Sequence, residues 1–185
     1  QKMREGNSIS ENKEPQKRLQ AWFRKNQRSL PWRHEGLREA YSVVVSEVML
    51  QQTQVATVLK YWDNWMRKFP SFEALAKADE SEVLKAWEGM GYYSRARNLK
   101  KLATAVVEKH KGKLPKTVEA LLELPGIGRY SARSIASLAF GEPEACVDGN
   151  IVRVLSRLNG ITKAYKNSAQ AQHDFQPIAE AFLLK

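Results

Sequence analysis

Two carboxylates stand apart from the other acidic residues of this chain. Glu47 lies within Val43-Val44-Val45-Ser46-Glu47-Val48-Met49-Leu50. On a helix its neighbours one turn away are Val43, Val44, Leu50 and Gln51, an apolar setting that disfavours a charged carboxyl. A carboxyl that keeps its proton at neutral pH can serve as a general acid. A glutamate at the helix edge, reaching out to water, fits the same pattern. Asp148 precedes Gly149-Asn150 and an apolar helical stretch. It reads as an N-cap, a place where the positive helix end favours an anion. Capping and chemistry do not exclude each other. One protonated carboxyl and one carboxylate are the pair that glycoside-bond cleavage uses: the acid neutralises the leaving group, and the carboxylate supports or attacks the sugar cation.

A third feature supplies a grip. In Leu124-Pro125-Gly126-Ile127-Gly128-Arg129-Tyr130, two glycines flank one apolar residue between two helical stretches. Such a turn can point its backbone N–H groups outward, and the helix starting at Arg129 adds its dipole, so the turn is an anion seat. It is also an ordinary interhelical turn. The charge favours the first reading. Lys and Arg number 30 against 20 Asp and Glu, a net charge of +10, which suits a polyanionic partner. Asp148 follows Tyr130 by about one helix and one turn.

Other residues could meet a duplex. Gln51-Gln52-Thr53 closes a buried helix and could reach base edges, or simply end the helix. Tyr92 and Tyr93 sit in a loop entered through Gly89 and Gly91, and could stack on or wedge between bases, or pack the loop rim. Arg95, Arg97, Lys100 and Lys101 next to that loop form a basic, solvated face. Trp32 and Arg33, in Pro31-Trp32-Arg33, are a pocket lid or a packing staple. His34, His110 and His173 have no metal-ligand spacing. The single cysteine, Cys146, allows no internal disulfide and no thiolate cluster within the chain, and it fits a reducing compartment.

These residues need helices to position them. Residues 1–14 are polar and aperiodic, a flexible tail. Helices are expected from Pro15 to Pro31, with Leu19, Trp22 and Phe23 on one face, and over 40–51, 54–69, 72–77, 80–87 and 94–110. The third has Val55, Val58, Leu59, Trp62, Trp65 and Met66 as its core side, and the 80–87 helix opens near Ser81. Thr117 caps the helix leading into the glycine turn, and helices follow over 129–140, 149–159 and 170–184. Nothing reads as a strand. The longest apolar run is too short to cross a bilayer, and no signal-peptide pattern opens the chain. The chain begins at Gln1, so the true start is expected upstream.

Together these motifs resemble a known family. Leu124 to Tyr130 is similar to the helix-hairpin-helix of the DNA glycosylase superfamily that includes endonuclease III, and Val147-Asp148-Gly149-Asn150 matches its aspartate. Pro31-Trp32-Arg33, Ser46 to Thr53 and Gly91 to Leu99 resemble the MutY-type adenine DNA glycosylases, in a eukaryotic-like version. The resemblance runs from about Leu19 to Leu158. It implies an all-α, two-lobe fold with a DNA cleft between the lobes. One lobe of six helices spans 36–142 and carries the hairpin. The second combines 15–35 with 143–185.

The activity implied is base-excision repair: removal of adenine mispaired with 8-oxoguanine or guanine in double-stranded DNA, by a monomer, with the nucleotide flipped out of the stack. By the resemblance, Glu47 protonates adenine N7, Asp148 stabilises the oxocarbenium ion, and Tyr130 and Asn150 assist. Arg33 contacts the adenine, and Gln52 and Tyr92 fill the gap it leaves. Leu50, Gln51, Thr53, Tyr93, Leu124, Gly126, Ile127, Gly128 and Arg129 complete the DNA contacts. Bifunctional relatives carry a nucleophilic lysine where Tyr130 stands, so base removal without strand nicking is expected.

A nuclear location is implied, with mitochondrion or bacterial cytoplasm as alternatives, and no membrane. The family usually carries a 4Fe–4S iron–sulfur cluster on four cysteines and a later domain that reads 8-oxoguanine. Both are expected beyond Lys185, which makes the second lobe incomplete and the chain a fragment. Arg133 departs from the small residue usual there. Two rivals remain: a mismatch thymine glycosylase, and a DNA-binding fragment without turnover.

Overall fold

The computed structural model describes residues 13–33 and 39–183, so the expected tail lies, but for its last two residues, outside the described part, as does His34. The described residues form ten α-helices, with no strand. In chain order they are α1 Glu14–Asn26, α2 Ala40–Leu50, α3 Val55–Lys68, α4 Phe72–Lys77, α5 Glu80–Trp87, α6 Ser94–His110, α7 Val118–Leu122, α8 Arg129–Phe140, α9 Gly149–Leu158 and α10 Ser168–Phe182. A 3-10 turn over Pro31–Arg33 precedes α2.

Local chemistry sets most helix ends. Pro15 sits in the first turn of α1, where a missing N–H costs nothing. Ser71 Oγ accepts from Ala74 N–H at 3.2 Å, and Thr117 Oγ1 from Ala120 N–H at 3.3 Å. α5 is capped by Asp79 rather than opened at Ser81: Glu82 folds back to accept the Asp79 N–H at 3.2 Å. Gly141, at φ +71°, closes α8 in the left-handed region.

The chain divides into two compact units. Ser29–Glu142 forms one; Gln1–Arg28 and Pro143–Lys185 form the other. The first holds α2 to α8, seven helices among the described residues where the sequence reading counted six. The division also falls at Ser29, not near residue 36, because the 3-10 turn packs on α2 and Trp32 lies edge-on to Trp62 with ring centroids 5.0 Å apart. The core gathers Val44, Val45, Met49, Val58, Trp65, Leu75, Trp87, Leu99, Leu102 and Ile135. Within it α2 packs on α3, α6 and α8, and α7 pairs with α8. α3 buries Val58, Trp62 and Trp65 as expected, whereas Leu59 stays exposed.

In the other unit α9 pairs with α10, and Ala145, Val147, Leu155, Phe175 and Ala179 form a small core. Leu19, Trp22 and Phe23 share a face of α1, yet all three remain exposed.

Candidate active site

α2 is apolar on every side: Val43, Val44, Val45, Val48 and Met49 are all buried. Glu47 sits among them, half-buried, and burial pushes its carboxyl above the usual glutamate range. Its oxygens are held from α8. Ser131 Oγ donates to Oε1 at 3.2 Å, and Ser134 Oγ donates to Oε2 at 3.0 Å. These two hydroxyls favour the anion and oppose the burial, which prevails. Of the two readings of Glu47, the structure favours a half-buried carboxyl held by hydrogen bonds over one reaching out to water. Sequence reasoning missed both serines, since nothing local marks a hydroxyl on one helix as the partner of a carboxyl more than eighty residues earlier.

The glycine turn joins α7 to α8. Leu124 and Ile127 send their side chains into the core, and Ile127 N–H donates to Leu124 C=O at 3.2 Å. Any contact from these two to a ligand is therefore through backbone. Gly126 has φ +78°, a conformation that favours glycine, and Asn98 packs against it. Gly128 is the N-cap of α8, in extended backbone with open space around it, and no side chain caps that helix. Arg129 and Tyr130 follow, both exposed, Tyr130 at 45%. Arg133 is half-buried one turn further on.

Gln51, Gln52 and Thr53 do three different things. Gln51 Nε2 donates to Ser131 Oγ at 3.2 Å, so its side chain is tied inward. Gln52 is exposed, at φ +54°, a strained conformation for a residue with a Cβ. Thr53 Oγ1 accepts from Arg95 Nη2 at 2.9 Å. Tyr92 is exposed and likewise strained, at φ +50°, beside Gly91 at φ +75°. Tyr93 is exposed, and its hydroxyl accepts the Gly89 N–H at 3.4 Å. Leu50 is half-buried at the end of α2, packed on the core. Arg33 is half-buried in the 3-10 turn.

Arg95 corrects the sequence reading. It is not part of a solvated face: only 8% of it is exposed. Its guanidinium donates to the carbonyls of Val48, Met49 and Gln51 at the end of α2, and to those of Met90 and Gly91. It also lies over the Trp87 and Tyr92 rings, at 5.1 and 5.7 Å. One buried cation thus satisfies the orphan carbonyls of α2 and binds the two strained loops together. Arg97, by contrast, is exposed and pairs with Glu80 at 3.2 Å, and Lys100 donates to Ala76 C=O at 2.9 Å.

Asp148 belongs to the other unit, at the head of α9. The capping reading holds: Oδ1 accepts Ile151 N–H at 2.8 Å. Oδ2 accepts from Asn150 Nδ2 at 3.3 Å, and Arg153 Nη2 holds the Asn150 oxygen at 3.1 Å. Asn150 is thereby oriented with its amide N–H toward the carboxylate.

Residues 45–180 match the family described as HhH-GPD superfamily base excision DNA repair protein. The chain belongs to this superfamily. The HhH-GPD chain is 50% identical over 150 residues to the human (Homo sapiens) adenine DNA glycosylase, covering 77% of this chain and 28% of that protein. It is 39% identical over 183 residues to the adenine DNA glycosylase of Arabidopsis thaliana, covering 86% and 29%. It therefore spans less than a third of the length of these relatives. A solved thermostable thymine-DNA glycosylase shares the fold at TM-score 0.80 and 30% identity, covering 95% of this chain and 80% of that one. An endonuclease III trapped on DNA superposes at TM-score 0.71 and 24% identity, covering 88% and 74%, which speaks for the fold alone.

The iron–sulfur cluster expected from the resemblance finds no seat in these residues. The chain has one cysteine, and among the described residues no three His, Cys, Asp or Glu side chains cluster as metal ligands.

Proposed function

We propose that this chain carries the catalytic part of an adenine DNA glycosylase that removes adenine paired with 8-oxoguanine or guanine. The observation that carries the reading is Glu47: a half-buried carboxyl in an apolar helix, raised in proton affinity, its oxygens fixed by two serines of the helix that follows the hairpin. Half-identity to the human protein of that name supports adenine as the base.

In this reading the flipped adenine takes the proton of Glu47 at N7. The C1′–N9 bond breaks, its electron pair leaving with the base, which departs neutral. The sugar becomes a cation that the Asp148 carboxylate supports, directly or as a transient ester, until water adds at C1′ and gives up a proton. Asn150, aimed by Arg153, steadies that carboxylate. Tyr130 offers no amine, so no Schiff base forms and the strand is not nicked. Gln52 and Tyr92, exposed on strained loops, take the space the base leaves. The Gly128 end of α8 and the net charge of +10 hold the phosphates.

A thymine-directed activity draws on the thymine-DNA glycosylase neighbour. Single-turnover base release from A:8-oxoguanine, A:G and T:G duplexes separates the readings. Adenine release from the first two is expected. Thymine release from the third alone overturns the proposal, and binding without any release favours a DNA-binding module.

A further inference from the structure

Gln51 is held at both ends. Arg95 donates to its backbone carbonyl, and its side-chain amide donates to Ser131 Oγ at 3.2 Å. Ser131 is buried and has one proton to give. With an amide N–H already directed at its oxygen, that proton goes to Glu47 Oε1, 3.2 Å away. Ser134 donates to the other oxygen at 3.0 Å. Gln52 next door is instead exposed, at φ +54°. The two adjacent glutamines thus face different tasks.

We propose that Gln51, Ser131 and Ser134 form a hydrogen-bond relay that positions the Glu47 carboxyl, and that Gln51 acts on this acid through Ser131 rather than on a base edge. Gln51 and the serines are positioning residues, and the proposal rests on Glu47 being the acid proposed above. The elements packed against α2 also carry Arg95 on α6, bound to the carbonyls of Val48 and Met49, Arg33 on the 3-10 turn, and the titratable Tyr130 and Arg133 on α8. The raised proton affinity of Glu47 comes from burial, which the two hydroxyls oppose, and not from a neighbouring charge.

The sign follows from the donors. Each donor to the carboxylate favours the anion, so removing one raises the pH at which Glu47 loses its proton. Ser131→Ala removes a donor outright. Gln51→Met, of similar size, never touches Glu47, yet it frees the Ser131 hydroxyl to turn away.

The test is a titration of the free protein, following the Glu47 carboxyl carbon by NMR in the parent, Ser131→Ala, Ser134→Ala, Gln51→Met and the exposed neighbour Gln54→Met. The expected result is an upward move of roughly half to one pH unit in the first three variants and none in the last. The alkaline limb of adenine release then moves the same way. An unmoved midpoint in Gln51→Met, or a downward one, overturns the relay. The titration needs no DNA. Shifted midpoints with no base release from the parent would therefore sink the adenine proposal and leave the relay standing, and normal release with unmoved midpoints would do the reverse.

Discussion

Replacing Gly126 by alanine should damage the fold, whereas replacing Gly128 should damage only the grip on DNA. At Gly126 the backbone is left-handed, φ +78°, which costs an L-residue about 1–2 kcal/mol. A Cβ there would stand 2.8 Å from Asn98 Cβ and 3.2 Å from its amide nitrogen. Overpacking of that kind costs about 1–3 kcal/mol. Alanine's smaller unfolded-state entropy returns about 0.4–1 kcal/mol. The net loss is about 2–4 kcal/mol, a fall of roughly 5–15 °C in melting temperature for a chain of this size. Gly128 differs in both respects: its φ is −93°, and nothing lies within 4 Å of the added carbon. Stability should stay within about 0.5 kcal/mol. The new methyl instead stands before the uncapped N–H groups of α8. Losing one charge-assisted hydrogen bond to phosphate there weakens binding about tenfold. Thermal melts and fluorescence anisotropy on matched, A:G and A:8-oxoguanine duplexes at one salt concentration read both effects. All duplexes should weaken alike, because phosphate contacts carry no sequence information. A Gly126→Ala protein that melts with the parent, or a Gly128→Ala protein that loses one mispair selectively, refutes the reasoning.

Three further outcomes follow from the site. Glu47→Gln should stabilise the chain at neutral pH. Burial raises the native proton affinity of Glu47, so its stabilising contribution is present below the ordinary value of 4.5 and lost as pH rises through the raised native value. The melting difference between variant and parent should therefore grow across that window, and a constant difference contradicts the burial. Asp148→Asn should keep the cap on Ile151 N–H and melt with the parent while base release falls about a hundredfold or more. Equal release rates would leave Asp148 a cap alone. Arg95→Lys keeps the charge but not the fork over five carbonyls, and should cost roughly 2–4 kcal/mol in urea unfolding. A loss under about 1 kcal/mol would mean the clamp is dispensable.

Helix positions were largely legible because their signals are local. Pro15, Thr117 and Asp148 act within one turn of themselves, and apolar spacing marks which face is covered. The glycine hairpin was legible for the same reason. Arg95 was not. Its partners at Val48, Met49 and Gln51 lie more than forty residues away, so on its own helix it looks like any basic surface residue. The division between Gln51 and Gln52 was hidden likewise, since adjacent identical residues differ only in what the rest of the fold offers them. Trp22 shows the converse failure: an apolar residue at helical spacing, with Leu19 and Phe23, that nonetheless stays exposed.

The role of Glu47 as proton donor is tested most directly by single-turnover release of adenine from an A:8-oxoguanine duplex, parent against Glu47→Gln, with binding measured alongside. The expected result is release by the parent, none by the variant, and equal binding by both. Adenine release by Glu47→Gln at the parent's rate would contradict it.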